Sequence, residues 1–404
     1  MPASHRLRVL VVIGTMGGGG AERQVIEILK RIDRSRFEPL LYLAMRQGEL
    51  LAEIPVDVPV FAFWDGAAES WGGMLVRRLK LTRFARYIHL ARVLHCQKID
   101  VVYDRTYLAT LDAAGGCWLR PTPRISCCVV DPEPELKLHA RRSIRLSWWF
   151  ARRAYRTASI VLANSEGLRL RLLDYFRLDP NHVRTFYNLL TGRTGDDCDP
   201  SGDPPAVPDL PWALSSAGPR VTPFLIVTVG RLHPQKGHRF LLEALEILVQ
   251  QRTQPPRLVI LGQGELEAEL QAFVASHQLG AHVTLMGFVA DPGPWLRRAN
   301  LFVLPSLYEG MPNALIEAAA CGTPVLATDC PSGPAEILDG GRCGVLVPVA
   351  DSAALAVAMA DAMDHPDQWR ARAELARQRV QELFNAEAGM RRFEQLVEQT
   401  AGRD

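Results

Sequence analysis

Glu309 and Glu317 bracket the stretch of this chain best suited to chemistry, Ser306-Leu-Tyr-Glu-Gly-Met-Pro-Asn-Ala-Leu-Ile-Glu317, with seven residues between the two carboxylates. The pattern reads as a strand end, a Gly310-Met311-Pro312-Asn313 turn, and a helix opening at about Pro312. Proline suits a first helical turn because the N–H it lacks would have no partner there. Turn amides and a helix N-terminus together form an anion site. Glu309 is expected in the turn and Glu317 one helical turn further on, directed at the same mouth. Two carboxylates around a nest of amides suit a ligand that carries both hydroxyls and phosphates.

A second group lies upstream in Val229-Gly-Arg-Leu-His-Pro-Gln-Lys-Gly-His238. Arg231 and Lys236 follow a strand end and precede a helix, the ligand-facing edge of an open α/β sheet. A forked guanidinium and a mobile ammonium suit a diphosphate. Fixed cations there would stabilise negative charge that grows on a phosphate during a reaction.

The elements that must position these groups alternate along the chain. Strands are predicted at Val9–Ile13, Leu40–Ala44, Val101–Tyr103, Arg124–Val130 and Ile160–Ala163, with helical stretches near 21–32, 75–97, 106–119, 138–157 and 165–176. Residues 191–222, rich in Gly, Pro and Asp, break the alternation and read as an interdomain connection. Strands follow at 224–229, 257–261, 283–286, 301–304, 324–328 and 344–347, and helical sequence fills about 352–400. Strand–helix alternation argues for parallel, doubly wound sheets. The expected organisation is an α/β N-terminal domain over 1–190, a linker over 191–222 and a second α/β domain over 223–387.

In order and spacing, residues 225–347 resemble the retaining glycosyltransferases of family 4. The resemblance rests on Glu309-Gly-Met-Pro-Asn-Ala-Leu-Ile-Glu317, the following Gly322-Thr-Pro-Val325, the Arg231/Lys236 pair, and Asp329-Cys-Pro-Ser-Gly-Pro-Ala-Glu-Ile-Leu338. It implies a GT-B architecture, two Rossmann-like domains facing across a cleft, with a last helix from about 388 returning to the first domain. It also implies roles. Arg231 and Lys236 would hold the donor diphosphate, Glu317 the ribose hydroxyls, and Glu309 the transferred sugar. Gly310, Met311, Pro312 and Asn313 would present backbone donors. Gly17-Gly-Gly-Gly20, ahead of Ala-Glu-Arg, is similar to the family's N-terminal loop, which places Gly18 and Gly19 near the donor phosphates. Gly262, in Gly262-Gln-Gly264, is a weaker donor-site candidate, since the fragment lacks the dinucleotide fingerprint. Domain closure would exclude water and favour transfer over hydrolysis.

One departure stands out at Ile125-Ser-Cys-Cys-Val-Val-Asp131. Many relatives carry a histidine at this strand end, whereas this chain has none between His95 and His139. Asp131 is the substitute candidate, and Asp104 with Arg105 could meet the acceptor. Asp197-Cys-Asp199 spells a metal-binding triplet, but it falls in the linker, away from any scaffold that would fix oxygen ligands. No metal or other cofactor is expected, and the nucleotide sugar is a co-substrate.

Composition bounds the rest. The chain has 404 residues, 48% of them hydrophobic, and its mean hydropathy is near zero, as in a globular protein of two domains. No apolar run approaches the roughly 18 to 20 residues that cross a bilayer. Eight cysteines without a Cys-x-x-Cys pattern suggest reduced thiols and a cytoplasmic setting. The net charge of +2 hides two acid-free basic runs: Arg77, Arg78, Lys80, Arg83, Arg86, Arg92 and Lys98, then Lys137, Arg141, Arg142, Arg145, Arg152, Arg153 and Arg156. The second surrounds Trp148-Trp149-Phe150. Arginines with aromatics suit anionic headgroups at about 1 kcal/mol per basic residue, though a solvated helix face with core aromatics reads equally well. The expected partners are a nucleotide-sugar donor, UDP-linked, and a glycan or lipid-linked acceptor, on the inner face of a membrane and without nucleic acid. Two alternatives stay open: a nucleotide-sugar binding module without turnover, and a sugar-nucleotide epimerase.

Overall fold

The computed structural model describes residues 6–64, 82–139, 143–190 and 223–402. The linker at 191–222 with its Asp197-Cys-Asp199 triplet lies outside them, as do Arg77, Arg78, Lys80, Arg141 and Arg142. The chain divides into two units. The first is Met1–Leu189 with Ala386–Asp404, and the second is Leu190–Asn385.

The first unit is built on seven parallel strands: β1 (Leu7–Ile13), β2 (Phe37–Met45), β3 (Val60–Trp64), β4 (Val101–Arg105), β5 (Arg124–Cys128), β6 (Ile160–Ala163) and β7 (Val183–Thr185). Their order is β3-β2-β1-β4-β5-β6-β7. β1 shows why its sequence is an unbroken apolar run. Val9, Val11 and Ile13 enter one core while Leu10 and Val12 enter the other, so both faces of the strand are covered by helices. Val9 to Val12 lie opposite Val101 to Asp104 in the β1/β4 pair, where the strand order reverses. The helix Ala386–Thr400 belongs to this unit: Met390, Phe393 and Val397 fill the core beside β1, and Phe393 meets Tyr103 edge-on at 5.0 Å.

The second unit repeats the plan with six parallel strands: β8 (Leu225–Val229), β9 (Arg257–Leu261), β10 (Val283–Gly287), β11 (Leu301–Leu304), β12 (Val325–Thr328) and β13 (Val345–Val347). Their order, β10-β9-β8-β11-β12-β13, reverses between β8 and β11. In both units the connections leaving the carboxyl ends of the strands beside this reversal are the places where such sheets bind ligands.

Four features differ from the sequence reading. β3 and β7 were not expected. β3 is a short apolar run just after Pro59, and β7 has three residues, so neither offers a period to read. The single helix expected at 138–157 is two, Pro132–His139 and Ile144–Arg156. The long C-terminal helix is three, Ser352–Asp364, Pro366–Leu383 and Ala386–Thr400. Pro366 forces the first of those breaks, because proline cannot continue the preceding ladder.

Candidate functional site

The Arg231 loop leaves β8 and the Glu309 loop leaves β11, so the two basic residues and the first glutamate meet at the strand reversal of the second unit. Local sequence fixes each loop. Pro234–Lys236 form one 3₁₀ turn, opened by His233, whose Nδ1 accepts from the Gln235 N–H at 3.2 Å. Gly237 ends the turn at φ +63°, and a Cβ there would lie 2.0 Å from the Pro305 carbonyl oxygen. Glycine is therefore required where the two loops touch. Gln235 ties them further: its Nε2 donates to the Tyr308 carbonyl at 2.9 Å and its own carbonyl accepts from Leu307 N–H at 2.8 Å.

This scaffold brings Lys236 Nζ to 2.5 Å from Glu309 Oε1. Ser306 Oγ donates to the same oxygen at 2.7 Å. Glu309 is buried, with the Lys236 side chain 19% exposed beside it. Among the described residues nothing donates to Glu309 Oε2, so one carboxylate oxygen is anchored and the other remains open to a ligand. The Glu309 carbonyl is held by Ser332 Oγ at 2.8 Å, which joins the 330–333 segment to the turn. The Arg231 side chain is exposed and pairs with no described carboxylate.

The helix that follows runs Asn313–Ala320, with Pro312 as its N-cap residue rather than in its first turn. No side chain caps it, and Pro312 adopts φ −75° and ψ 105°. Gly310, Met311 and Pro312 are buried, which leaves the turn to act through its backbone. Glu317 is half-buried, one turn inside the helix.

His238 was not singled out from sequence, yet it supports this site. The ring is buried, and its Nε2 lies 3.2 Å from the Arg231 carbonyl, a geometry in which Nε2–H donates. Burial pushes its pKa from 6.5 down to about 4, so the imidazole is neutral beside Lys236. His233 N–H donates to the same carbonyl at 2.8 Å. The peptide of Arg231 is thus pinned while its side chain is free to reach outward. Acting on a carbonyl, His238 leaves no charge pattern that the sequence could show.

Gly262 has a structural reason to be glycine. It sits at φ +147°, its N–H donates to Gly287 at 2.7 Å, and a Cβ would fall 1.9 Å from the Gly230 carbonyl oxygen. In the first unit, Gly19 is the N-cap of the helix Gly20–Arg31 that follows β1, with Gly18 before it. The N-cap glycine has no side chain to cap that helix, and the Glu22 carboxylate folds back over Gly19.

The three acceptor-side candidates are buried and hydrogen-bonded within the first unit. Asp104 is fully buried: Oδ1 accepts from Thr110 Oγ1 at 2.5 Å, and Oδ2 from Ser126 Oγ at 2.7 Å and Arg124 at 3.1 Å. Arg105 is 1% exposed and donates to Tyr103 Oη at 3.0 Å and Asn188 Oδ1 at 2.6 Å. Neither is a surface group. Asp131 is buried as a cap: Oδ1 accepts from Glu133 N–H at 2.9 Å, and Oδ2 pairs with Arg171 at 3.1 Å. Its carboxylate holds the start of the helix Pro132–His139. Burial also pushes the Cys128 thiol up to about 12, so that strand end presents no reactive sulfur.

Two parallel-sheet units, each in the 3-2-1-4-5-6 Rossmann order, are the architecture of the GT-B class. The chain belongs to the group 1 and family 4 glycosyltransferases. Residues 18–190 match the family described as Glycosyltransferase Family 4, and residues 223–365 match Glycosyl transferases group 1. An uncharacterized glycosyltransferase of Methanocaldococcus jannaschii is 41% identical over 115 residues, 28% of each chain, so the chain spans under a third of that relative in the match. The N-acetylgalactosamine-N,N'-diacetylbacillosaminyl-diphospho-undecaprenol 4-alpha-N-acetylgalactosaminyltransferase of Campylobacter jejuni is 28% identical over 84% of this chain and 85% of its own. Among solved structures, HepE of Anabaena in complex with UDP-glucose superposes with a TM-score of 0.77 at 19% identity, covering 98% of this chain and all of that one.

Proposed function

We propose that this chain is a retaining glycosyltransferase that moves a hexose or N-acetylhexosamine from a UDP-linked donor to a glycan on a lipid diphosphate or a growing polysaccharide. The observation that carries this reading is the Lys236–Glu309 pair at the β8/β11 reversal, with exposed Arg231 on the same loop as Lys236. Arg231 and Lys236 take the donor diphosphate and Glu317 the ribose hydroxyls. Glu309, anchored through Oε1, offers Oε2 to the sugar. The acceptor hydroxyl attacks the anomeric carbon from the face the nucleotide leaves. As the bond to the diphosphate breaks, the departing phosphate oxygen takes the acceptor proton. Two side-chain cations stand where a metal would otherwise neutralise the leaving group, so the reading is metal-independent.

The relatives support the substrate class. The Campylobacter jejuni enzyme is named for a diphospho-undecaprenol acceptor and an alpha linkage, and the Anabaena protein binds UDP-glucose. An alpha product from an alpha-linked donor is retention. Peripheral attachment to the cytoplasmic face of a membrane completes the reading, since such an acceptor lies at a bilayer; among the described residues no helix is long and apolar enough to cross one.

Thermal shift against UDP, GDP, ADP and CMP, with and without Mg²⁺, tests it. A ligand at a hundredfold its Kd adds about 2.7 kcal/mol. Stabilisation by UDP in the absence of metal is expected, and indifference to every nucleotide would sink the donor site. NMR of the product anomer tests retention, and an inverted anomer would overturn it.

A further inference from the structure

A surface helix normally keeps its apolar residues inward and its polar ones outward. The helix Ile144–Arg156 does not. Its inner face packs well: Ala151, Ala154 and Tyr155 are buried, Trp148 Nε1 donates to the Tyr175 carbonyl at 3.1 Å, and Arg152 Nε donates to the Phe176 carbonyl at 2.7 Å. The guanidinium of Arg152 also lies over the Trp148 ring, 5.3 Å from its centre. These groups hold the helix to the first unit. The outer face carries Leu146, Trp149 and Phe150, exposed by 54%, 50% and 49%. Trp149 and Phe150 stack edge-on at 5.2 Å, and Arg153 lies 5.9 Å from the Trp149 ring centre. Arg145, Arg153 and Arg156 are exposed on the same helix, and no acidic residue occurs between Glu135 and Glu166. The adjoining helix Pro132–His139 adds Leu138, also exposed.

We propose that this outer face docks on an anionic lipid bilayer, with Leu146, Trp149 and Phe150 entering the headgroup boundary and Arg145, Arg153 and Arg156 meeting lipid phosphates. The proposal deepens the reading of a lipid-linked acceptor and rests on it for its purpose. Charge complementarity selects the occupant. An aromatic and aliphatic patch ringed by arginines on a helix that carries no acidic residue matches phosphate-bearing lipid. A second copy of the same face would set arginine against arginine, which disfavours an isologous dimer. The sequence left the Trp-Trp-Phe cluster between core and surface. The structure divides it, turning Trp148 inward and leaving Trp149 and Phe150 outside.

Flotation of the full chain with vesicles of phosphatidylcholine alone, or mixed with phosphatidylglycerol, tests the proposal. Binding to the anionic vesicles that weakens as salt is raised is expected, together with quenching of Trp149 fluorescence by brominated lipid. Trp149→Ser with Phe150→Ser should lower vesicle affinity by about tenfold or more, and Arg145→Ser with Arg153→Ser should remove its salt dependence. Both variants should keep wild-type stabilisation by UDP, which also reports that they are folded. Absence of vesicle binding, or undiminished binding by the Trp149/Phe150 variant, overturns the proposal. A doubled mass in sedimentation that the same variant abolishes overturns it too, because a second copy would then be the occupant. If UDP stabilises every form while vesicles are ignored, the docking face fails and the transferase reading stands. If vesicles bind but no nucleotide stabilises, the reverse holds.

Discussion

Two buried ion pairs, one in each unit, use the same chemistry for opposite ends. Arg124–Asp104 in the first unit is sealed, with side chains 2% and 0% exposed. Both Asp104 oxygens are saturated, and Arg124 also donates to the Ala154 carbonyl and to Ser126. Lys236–Glu309 in the second unit is left incomplete: one carboxylate oxygen accepts two hydrogen bonds, the ammonium is part-exposed, and exposed Arg231 lies on the same loop as Lys236. A buried pair whose remaining valences are met stabilises a fold only weakly and is costly to break. A pair with open valences can change partners when a ligand arrives. Completeness of hydrogen bonding, more than burial or charge, separates the structural pair from the chemical one.

The comparison can be broken most forcefully at Arg124. Arg124→Met leaves Asp104 buried without its countercharge and should cost about 3–5 kcal/mol of stability, read as the shift in urea midpoint at constant slope. Replacing both partners, Asp104→Leu with Arg124→Met, should restore much of that loss. If the single variant is as stable as wild type, Asp104 is not the enclosed charge described here.

At the open pair the expected pattern is inverted. Glu309→Gln should lower transfer by about 10²–10³-fold while its melting temperature and UDP stabilisation stay near wild type. Transfer that survives undiminished would remove Glu309 from the site.

His238 sharpens the contrast through pH. Its folded pKa is depressed, from 6.5 to about 4, so its contribution is fully present above 6.5. As pH falls through that window the unfolded chain binds the proton first, and up to about 3 kcal/mol of stability is lost by pH 4. His238→Gln, which keeps a donor for the Arg231 carbonyl, should flatten the stability profile between those limits and retain UDP binding. His238→Phe should flatten it equally and weaken UDP binding several-fold. Identical UDP affinity in the two variants would show that the bond to Arg231 has no bearing on the ligand.

The smallest effect is expected at Arg231. Because it is exposed and supports nothing in the fold, Arg231→Ala should leave stability unchanged and weaken UDP by about 1.5–3 kcal/mol, the scale of one charge-assisted hydrogen bond. Titration calorimetry at two salt concentrations measures it, and unchanged affinity would move the diphosphate elsewhere.

Much of this was legible in the chain before any coordinates. Apolar runs such as Val9–Ile13 and Leu301–Leu304 mark strands covered on both faces, and their alternation with helical stretches dictates the parallel sheets. The Arg231, Lys236 and Glu309 segments could be placed on strand-ending loops because glycine and proline punctuate them. Side-chain fate was less legible. Asp104 and Arg105 end a strand in sequence much as Arg231 follows one, yet burial depends on Thr110, Ser126, Arg124 and Asn188, which are distant along the chain or on other elements. Asp131 looked like a histidine substitute because its capping of Pro132–His139 appears only once the helix expected at 138–157 resolves into two. The role of His238 was invisible for a similar reason, since it acts on a carbonyl and leaves no charge pattern.

The helix Ala386–Thr400 completes the core around β1, although the whole second unit is encoded between it and Leu189. A ribosome therefore makes all of unit two before Phe393 exists. Unit two can fold while still tethered; unit one must wait with the hydrophobic seat beside Tyr103 uncovered. That waiting period makes the first unit the part of the nascent chain most exposed to chaperones and to aggregation. It also sets a rule for dissecting the protein. Residues 190–385 form a continuous candidate for separate expression, whereas the first unit needs its distant helix supplied back, fused after Leu189 or added as a second chain.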